Sequence, residues 1–216
     1  IALGDAKKIV EPQIKKLDFP QDFTYNFTGS VKDQQDSFGE MITLMLLVIM
    51  LVFIVMAAQF ESLRDPFIIM FSLPFAFTGV FLALWMTNTP LSLIALIGAV
   101  MLIGIVVKNG IVLVDYINLN RERGASIRRS VIIGGKSRLR PVLMTTITTL
   151  LGMLPMALGV GEGSELWQPM GIAIIGGLTI STILTLIVMP VIYLLFNAGD
   201  VRRKRKKLHK QYLNKE

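Results

Sequence analysis

The sequence contains no cysteine and only one histidine, His209. Disulfides, thiolate zinc sites and cysteine nucleophiles are therefore excluded from these 216 residues, and a single histidine cannot form a histidine metal cluster. Charged residues are also scarce, at 17% of the total. The apolar part of the chain has no nucleophile–base pair and no metal-ligand spacing, which argues against an enzyme and predicts no cofactor.

Apolar residues dominate the chain instead. They make up 53% of the sequence, the mean hydropathy is +0.62, and the excess is concentrated in five long blocks. The hydrocarbon core of a bilayer is about 30 Å thick and needs roughly 20 apolar residues of helix. The pattern predicts an all-α membrane protein, a transmembrane helical bundle with five spans. The predicted spans are residues 41–60, 67–86, 91–117, 141–159 (beginning with Pro141) and 169–196.

The two ends of the chain differ from this transmembrane domain, residues 41–198. Residues 1–40 are of mixed polarity, with near-helical apolar spacing at 6–17 and an alternating pattern at 23–28 that predicts a strand. One helix and one strand cannot form a stable domain, so we interpret 1–40 as a small α+β remnant of an extramembrane domain whose remainder lies upstream. Residues 199–216 form a basic tail, interpreted as a flank of the last span, with a lipid- or RNA-binding patch as the alternative.

The distribution of lysine and arginine predicts the orientation in the membrane. The hydrophilic connection at 118–140 carries seven of them and the segment after Gly199 carries eight, whereas the turns at 87–90 and 160–168 carry none. By the positive-inside rule, loop 118–140 and the C-terminus are cytoplasmic, and residues 1–40 lie on the outer side. The net charge of +7 thus reflects topology, and no nucleic-acid partner is expected. Residues 120–134 are predicted to form an interfacial helix.

One ammonium group, that of Lys108, lies well inside the third apolar block. A lysine at the centre of a spanning helix costs about 2.5–3.5 kcal/mol on insertion scales, so its side chain is expected to face other helices, water or a counter-ion. Asn109 adds a second polar group. Asp115 lies two turns further but about 10 Å along the axis, which makes it a poor partner. We expect the counter-ion on a helix outside these residues, within a proton relay; a purely structural buried ion pair is the alternative.

A second set of polar residues surrounds the start of the fourth block: Arg138, then threonines at 145, 146, 148 and 149. Arg138 and Thr145 share a helical face if the helix continues through Pro141. Lys108 is expected about 14 Å from the inner end of its span and Thr145 about 6 Å from Pro141. Direct contact between the two would then need staggered helix ends or a bridging water. For each threonine, a hydrogen bond to the carbonyl four residues earlier is the alternative.

Small residues predict close helix packing in two spans. Gly79 and Ala83 lie four residues apart in the second span, which Pro74 is expected to kink. In the fifth span small residues recur every four positions, which suits close contact between helices; chance spacing is the alternative. This small-residue stripe consists of Ala173, Gly177, Ser181 and Thr185.

Longer motifs resemble the C-terminal half of resistance-nodulation-division (RND) efflux pumps, in the hydrophobe/amphiphile exporter branch. Three of them are GIVVKNGIVLVDYIN at 104–118, RLRPVLMTTITTLLGMLP at 138–155 and GEGSELWQPMGIAIIGGL at 161–178. AAQFESLRDPFIIMFSLP at 57–74 is similar to the same branch. The resemblance covers nearly the whole chain. It implies that the five spans match the last five of twelve helices and that residues 1–40 end a periplasmic porter domain.

The resemblance also implies roles for four residues of a proton relay. Lys108 matches a lysine that lies beside two aspartates of the family's fourth helix, and Asn109 matches its asparagine neighbour. Thr145 matches a relay threonine, and Arg138 matches an arginine implicated in proton access. The aspartate pair has no counterpart in these 216 residues, so the chain is interpreted as a C-terminal part of a pump.

The leading hypothesis is a secondary active transporter rather than an enzyme. It is a proton-driven antiporter of the bacterial inner membrane that exports amphiphilic or hydrophobic compounds such as drugs. The proton-motive force takes the place of a cofactor. The resemblance implies membrane lipid, an N-terminal part of the same pump, a homotrimer, a periplasmic adaptor and an outer-membrane channel as partners. The alternatives are RND-type export of metal ions or lipids, and a non-transport membrane scaffold, against which Lys108 counts.

Overall fold

A computed structural model describes residues 12–14, 30–161 and 163–213, and all of its regular structure there is helical. Besides a helical turn at 12–14, it contains six α-helices and one 3₁₀ turn, Ser164–Leu166. The strand predicted at 23–28 lies outside the described residues. The helices are α1 (Ser30–Phe60), α2 (Arg64–Met70), α3 (Ser72–Met86), α4 (Leu93–Glu122), α5 (Ile127–Ala157) and α6 (Gln168–Leu213).

Five segments are long and apolar enough to cross a membrane, which confirms the predicted five-span bundle. They are Ser37–Phe60, Arg64–Met86, Leu93–Glu122, Ile127–Ala157 and Gln168–Asn197. The second comprises two helices, because α2 ends at Met70 and α3 starts at Ser72. Pro74 lies in the first turn of α3 and has no N–H to donate to the carbonyl of Met70, which explains the interruption at Phe71. The interruption lies within one turn of Pro74, where a kink was predicted.

The helices extend further than the apolar blocks. The first helix begins at Ser30 rather than residue 41, and α6 continues to Leu213 rather than ending near 196. The hydrophilic connection predicted at 118–140 is wrong: α4 continues to Glu122 and α5 begins at Ile127, so only residues 123–126 form a turn. The interfacial helix predicted at 120–134 is wrong for the same reason. A helix can continue into water with charged side chains on it, so charge does not mark its end. The end of α4 is marked by Gly124, whose φ of +86° is a left-handed conformation that a helix cannot continue through.

Pro141 does not begin a helix as predicted, because it lies inside α5. Its ring removes one backbone hydrogen bond, to the carbonyl of Ser137, yet the helix is continuous on both sides. Arg138 and Thr145 therefore lie on one helix, two turns apart, which is the condition for a shared face.

The helix α6 is the centre of the bundle and packs against α3, α4 and α5. The helix α1 packs at the edge, against α4 and α2. Much of its surface is exposed and apolar, for example at Leu46, Met50 and Val55. The same holds for one side of α5, at Met144 and Leu151. Exposed apolar faces of spanning helices are suited to contact with lipid or with further helices.

Candidate functional site

A polar cleft of about 130 Å³ opens between α4, α5 and α6. It brings together three of the four predicted relay residues, Lys108, Asn109 and Thr145, and we call it the Lys108 cleft. Its lining consists of Ile105, Lys108, Asn109, Thr145, Thr146, Thr149 and Leu178. In a bundle whose core is mostly apolar, this concentration of amine, amide and hydroxyl groups is the clearest candidate for ion or proton chemistry.

The depth mismatch expected between Lys108 and Thr145 does not keep them from lining one cleft. That expectation placed the membrane boundary at Pro141, but α5 begins fourteen residues earlier, at Ile127. Measured from the turn at 123–126, Lys108 lies about 21 Å along α4 and Thr145 about 27 Å along α5, at 1.5 Å per residue. Because the two helices are antiparallel, these depths differ by only about 6 Å, and both residues line the same cleft.

Lys108 is exposed at the edge of the five-span bundle rather than enclosed by it. Its side chain also lines a second, mostly apolar cavity of about 360 Å³ between α1 and α4. Within the described part of the chain, no hydrogen bond or ion pair reaches its ammonium group. Asp115 is likewise exposed and does not pair with it. The ammonium group is thus open to a partner from outside these helices.

The four threonines of α5 differ in their hydrogen bonds. Thr148 donates to the carbonyl of Met144 at 2.8 Å, and Thr149 donates to that of Thr145 at 2.9 Å. Thr145 itself donates to the carbonyls of Pro141 and Val142, at 3.2 and 3.0 Å. These three follow the alternative of local bonding to the preceding turn. Thr146 differs, because its hydroxyl lies 3.3 Å from that of Thr182 on α6 and is buried.

Arg138, the fourth predicted relay residue, does not line the Lys108 cleft. Its guanidinium carbon lies 4.4 Å from the ring centroid of Tyr116, a cation–π contact between α5 and α4. Its Nε atom is buried and has no hydrogen-bond partner among the described residues. The structure therefore places Arg138 about two turns from Thr145, with an unused donor.

The small-residue stripe of α6 is buried along its whole length. A Cβ atom added at Gly177 would lie 2.1 Å from Leu102 Cδ2, and one added at Gly176 would lie 2.2 Å from Ala83 Cβ. On the facing helix, a Cβ at Gly79 would lie 2.6 Å from the carbonyl oxygen of Gly176. At Gly79 and Gly176 the backbones of α3 and α6 thus approach so closely that only glycine fits, whereas the nearest obstacle at Gly177 is a side chain of α4.

A network of polar side chains near the 123–126 turn was not predicted from the sequence. Asn118 donates to Asp65 Oδ2 at 2.8 Å and accepts a hydrogen bond from the hydroxyl of Tyr193. Arg121 donates to that hydroxyl at 2.7 Å and to Asn197 Oδ1 at 3.2 Å. The network joins α2, α4 and α6. Its only signal in the sequence is that polar residues stand at the ends of three apolar blocks.

Comparisons with known proteins agree with this architecture. A profile of the AcrB/AcrD/AcrF family matches residues 1–197. The multidrug resistance protein MdtC of Proteus mirabilis (strain HI4320) is 40% identical over 213 residues, which are 98% of this chain and 21% of the relative. The chain thus spans about a fifth of that protein's length.

Two solved structures, crystal forms II and I of a heavy metal efflux pump, superpose with TM-scores of 0.79 and 0.75, at 28% and 30% identity. Each covers 91% of this chain and 19% of the pump. A profile match over most of the chain, a relative at 40% identity and the shared helical arrangement confirm the predicted resemblance. The chain belongs to the AcrB/AcrD/AcrF family of RND efflux transporters.

Proposed function

We propose that this chain supplies the C-terminal membrane part of a proton-driven RND antiporter that exports amphiphilic or hydrophobic compounds. The single observation that carries the proposal is the Lys108 cleft, in which an unpaired ammonium group lies beside Asn109 and Thr145 at membrane depth. An ammonium group in hydrocarbon requires a counter-charge. In the complete pump, acidic residues of another helix supply it.

The mechanism follows from electrostatics. While the acids are ionised, they attract Lys108 and draw α4 towards their helix. When protons enter and neutralise the acids, this attraction ends and the ammonium group turns towards the hydroxyls of the cleft. Arg138, two turns from Thr145 towards the 123–126 turn, is suited to guide proton exchange on that side. The helices repack with each cycle, and this movement drives the domains that carry the exported compound.

The remaining parts of the proposal concern location and partners. The 123–126 turn with its flanking charges and the C-terminus are cytoplasmic, residues 1–40 are periplasmic, and the protein is a multi-pass protein of the bacterial inner membrane. The complete pump is a homotrimer that works with a periplasmic adaptor and an outer-membrane channel. The exposed apolar faces of α1 and α5 support the presence of further helices and lipid around this part.

Reconstitution of the complete pump into proteoliposomes with a pH-sensitive dye tests the proposal. We expect an amphiphilic cation to drive proton movement across the membrane, because each cycle exchanges substrate for protons. Proton movement driven by metal ions and not by amphiphiles would favour the alternative of metal export, which the two heavy metal efflux pump structures support. Transport that does not respond to a proton gradient would contradict antiport itself.

Thr145→Ala is expected to reduce efflux about fivefold, because the cleft loses a hydroxyl towards which the ammonium group turns in the proposed cycle. Thr145→Ser keeps the hydroxyl and should be close to wild type. Thr148→Ala is the matched control, because Thr148 makes the same kind of backbone hydrogen bond outside the cleft. Efflux from everted vesicles measures all three. Equal efflux by Thr145→Ala and Thr148→Ala would mean that the hydroxyl of Thr145 has no role in the relay.

A further inference from the structure

A third, much smaller cavity lies in the bundle, between α4, α5 and α6. It holds about 10 Å³, which is at the lower limit of the space that admits one water molecule. Four of its seven lining residues carry a polar side chain. The lining residues are Asn109, Leu113, Val142, Ser181, Thr182, Thr185 and Leu186.

The hydroxyl of Thr185 is the unusual group of this cavity. The residue is only 6% exposed, and its Oγ1 has no hydrogen-bond partner within the described residues. Threonines in helices commonly donate to the preceding turn, and Thr179 on the same helix does so, to Ile175 at 2.7 Å. Thr185 does not. A buried hydroxyl without a partner is costly, so the site favours a molecule that can supply one.

Two further residues with polar side chains, Asn109 and Ser181, line the same space, and neither side chain makes a hydrogen bond within the described part of the chain. A buried water typically makes about three hydrogen bonds to otherwise unsatisfied groups. Thr185 also lines another small cavity, between α2, α3 and α6, which offers a water fewer partners. Apart from Thr185, its only polar lining group is Ser72, whose hydroxyl already donates to Ile69 at 2.7 Å.

We propose that the smaller cavity binds an ordered water molecule, held by Asn109, Ser181 and Thr185, and that this water connects α6 to the Lys108 cleft. Asn109 lines both spaces. The hydroxyl pair of Thr146 and Thr182 stands between them, with Thr146 on the cleft and Thr182 on the cavity. The water joins α4 to α6 by hydrogen bonds, so that a shift of α4 beside Lys108 is transmitted to α6. This part rests on the proposed function.

The first test is a high-resolution structure of the complete pump in a lipid environment. We expect density for one water within hydrogen-bond distance of Asn109, Ser181 and Thr185 side chains, and none in the cavity beside Ser72. A map that resolves waters in the Lys108 cleft but shows none at Thr185 would overturn the proposal.

The second test compares Thr185→Val with Thr185→Ser and uses Thr179→Val as the control. Valine keeps the shape of the side chain and removes the hydroxyl, so we expect loss of the water and about a threefold reduction of proton-coupled efflux. Thr185→Ser should retain the water and wild-type efflux. Thr179→Val removes a hydroxyl that bonds only to its own helix, and it should change neither the water nor the efflux.

The outcomes separate this inference from the proposed function. If Lys108→Ala stops efflux while Thr185→Val transports like the wild type, the water link is wrong and the relay stands. If Lys108→Ala transports normally, the relay is wrong, and the density at Thr185 decides the water site independently.

Discussion

Lys108→Ala is expected to reduce proton-coupled efflux about a hundredfold, the range that a positioned proton-transfer group contributes. Among the described residues that line the Lys108 cleft, Lys108 alone is charged. Without its ammonium group, the acids that we propose as its partners would lose their counter-charge and remain protonated, because an unpaired carboxylate in hydrocarbon is disfavoured. The proton cycle then stops with the pump in one state. Efflux from everted vesicles, normalised to the amount of pump in the membrane, measures the loss.

Two variants control this experiment. Lys136→Ala removes an exposed lysine of α5 that lies outside the cleft, and it should transport normally. Lys108→Arg keeps the positive charge but not the compact ammonium group, and it should remain strongly impaired. Normal efflux by Lys108→Ala, with the pump present in the membrane, would contradict the relay assignment.

Gly79→Ala is expected to have the largest effect on stability. The added Cβ would lie 2.6 Å from the carbonyl oxygen of Gly176 and 2.9 Å from the Cα of Gly177. Both obstacles are backbone atoms of α6, so no side-chain rotation relieves the clash, and α3 must move away. Overpacking of this kind typically costs about 1–3 kcal/mol. Thermal unfolding of the detergent-solubilised pump should show a lower melting temperature than the wild type.

Gly152→Ala provides the matched control, because it is the same change in the interior of a helix. A Cβ at Gly152 meets no atom within 4 Å. Alanine also favours helix over glycine by up to about 1 kcal/mol, so the melting temperature should stay level or rise slightly. Equal melting temperatures of the two variants would contradict direct contact between the backbones of α3 and α6.

The helix ends show where sequence reasoning reached its limit. The apolar blocks gave the number and approximate position of the spans, because the thickness of hydrocarbon fixes the length of an apolar helix. They did not give the ends of α4 and α5, since composition marks where hydrocarbon stops and not where a helix stops. The charges of 118–140 were interpreted as a connection, although most of them continue two helices. The local signal for the end of α4 was Gly124.

Sequence reasoning named three residues of the Lys108 cleft, together with Arg138, which lies outside it, but it did not give the geometry. Lys108, Asn109 and Thr145 stand out in the sequence because polar residues are expensive in an apolar helix. Their convergence on one cleft depends on the antiparallel packing of α4 and α5. The role of Thr146, which alone among the four threonines contacts another helix, also required the packed structure.

The network around Tyr193 is an example of what only long-range contacts reveal. Asn118 lies 53 positions from Asp65 and 75 from Tyr193, and no local pattern connects residues so far apart. Each of them alone is an ordinary polar residue at the end of a span. Their meeting requires α2, α4 and α6 to be packed together.

By itself, the amino-acid sequence determined that this chain forms five membrane spans, that the second is disturbed near Pro74, and which family of transporters it belongs to. These properties depend on local composition and on motifs, which the chain carries without folding. The tertiary structure alone decided which polar side chains share a cleft, which buried hydroxyls remain unpaired and which glycines touch another backbone. These properties depend on distances between helices, and such distances arise only when the helices pack.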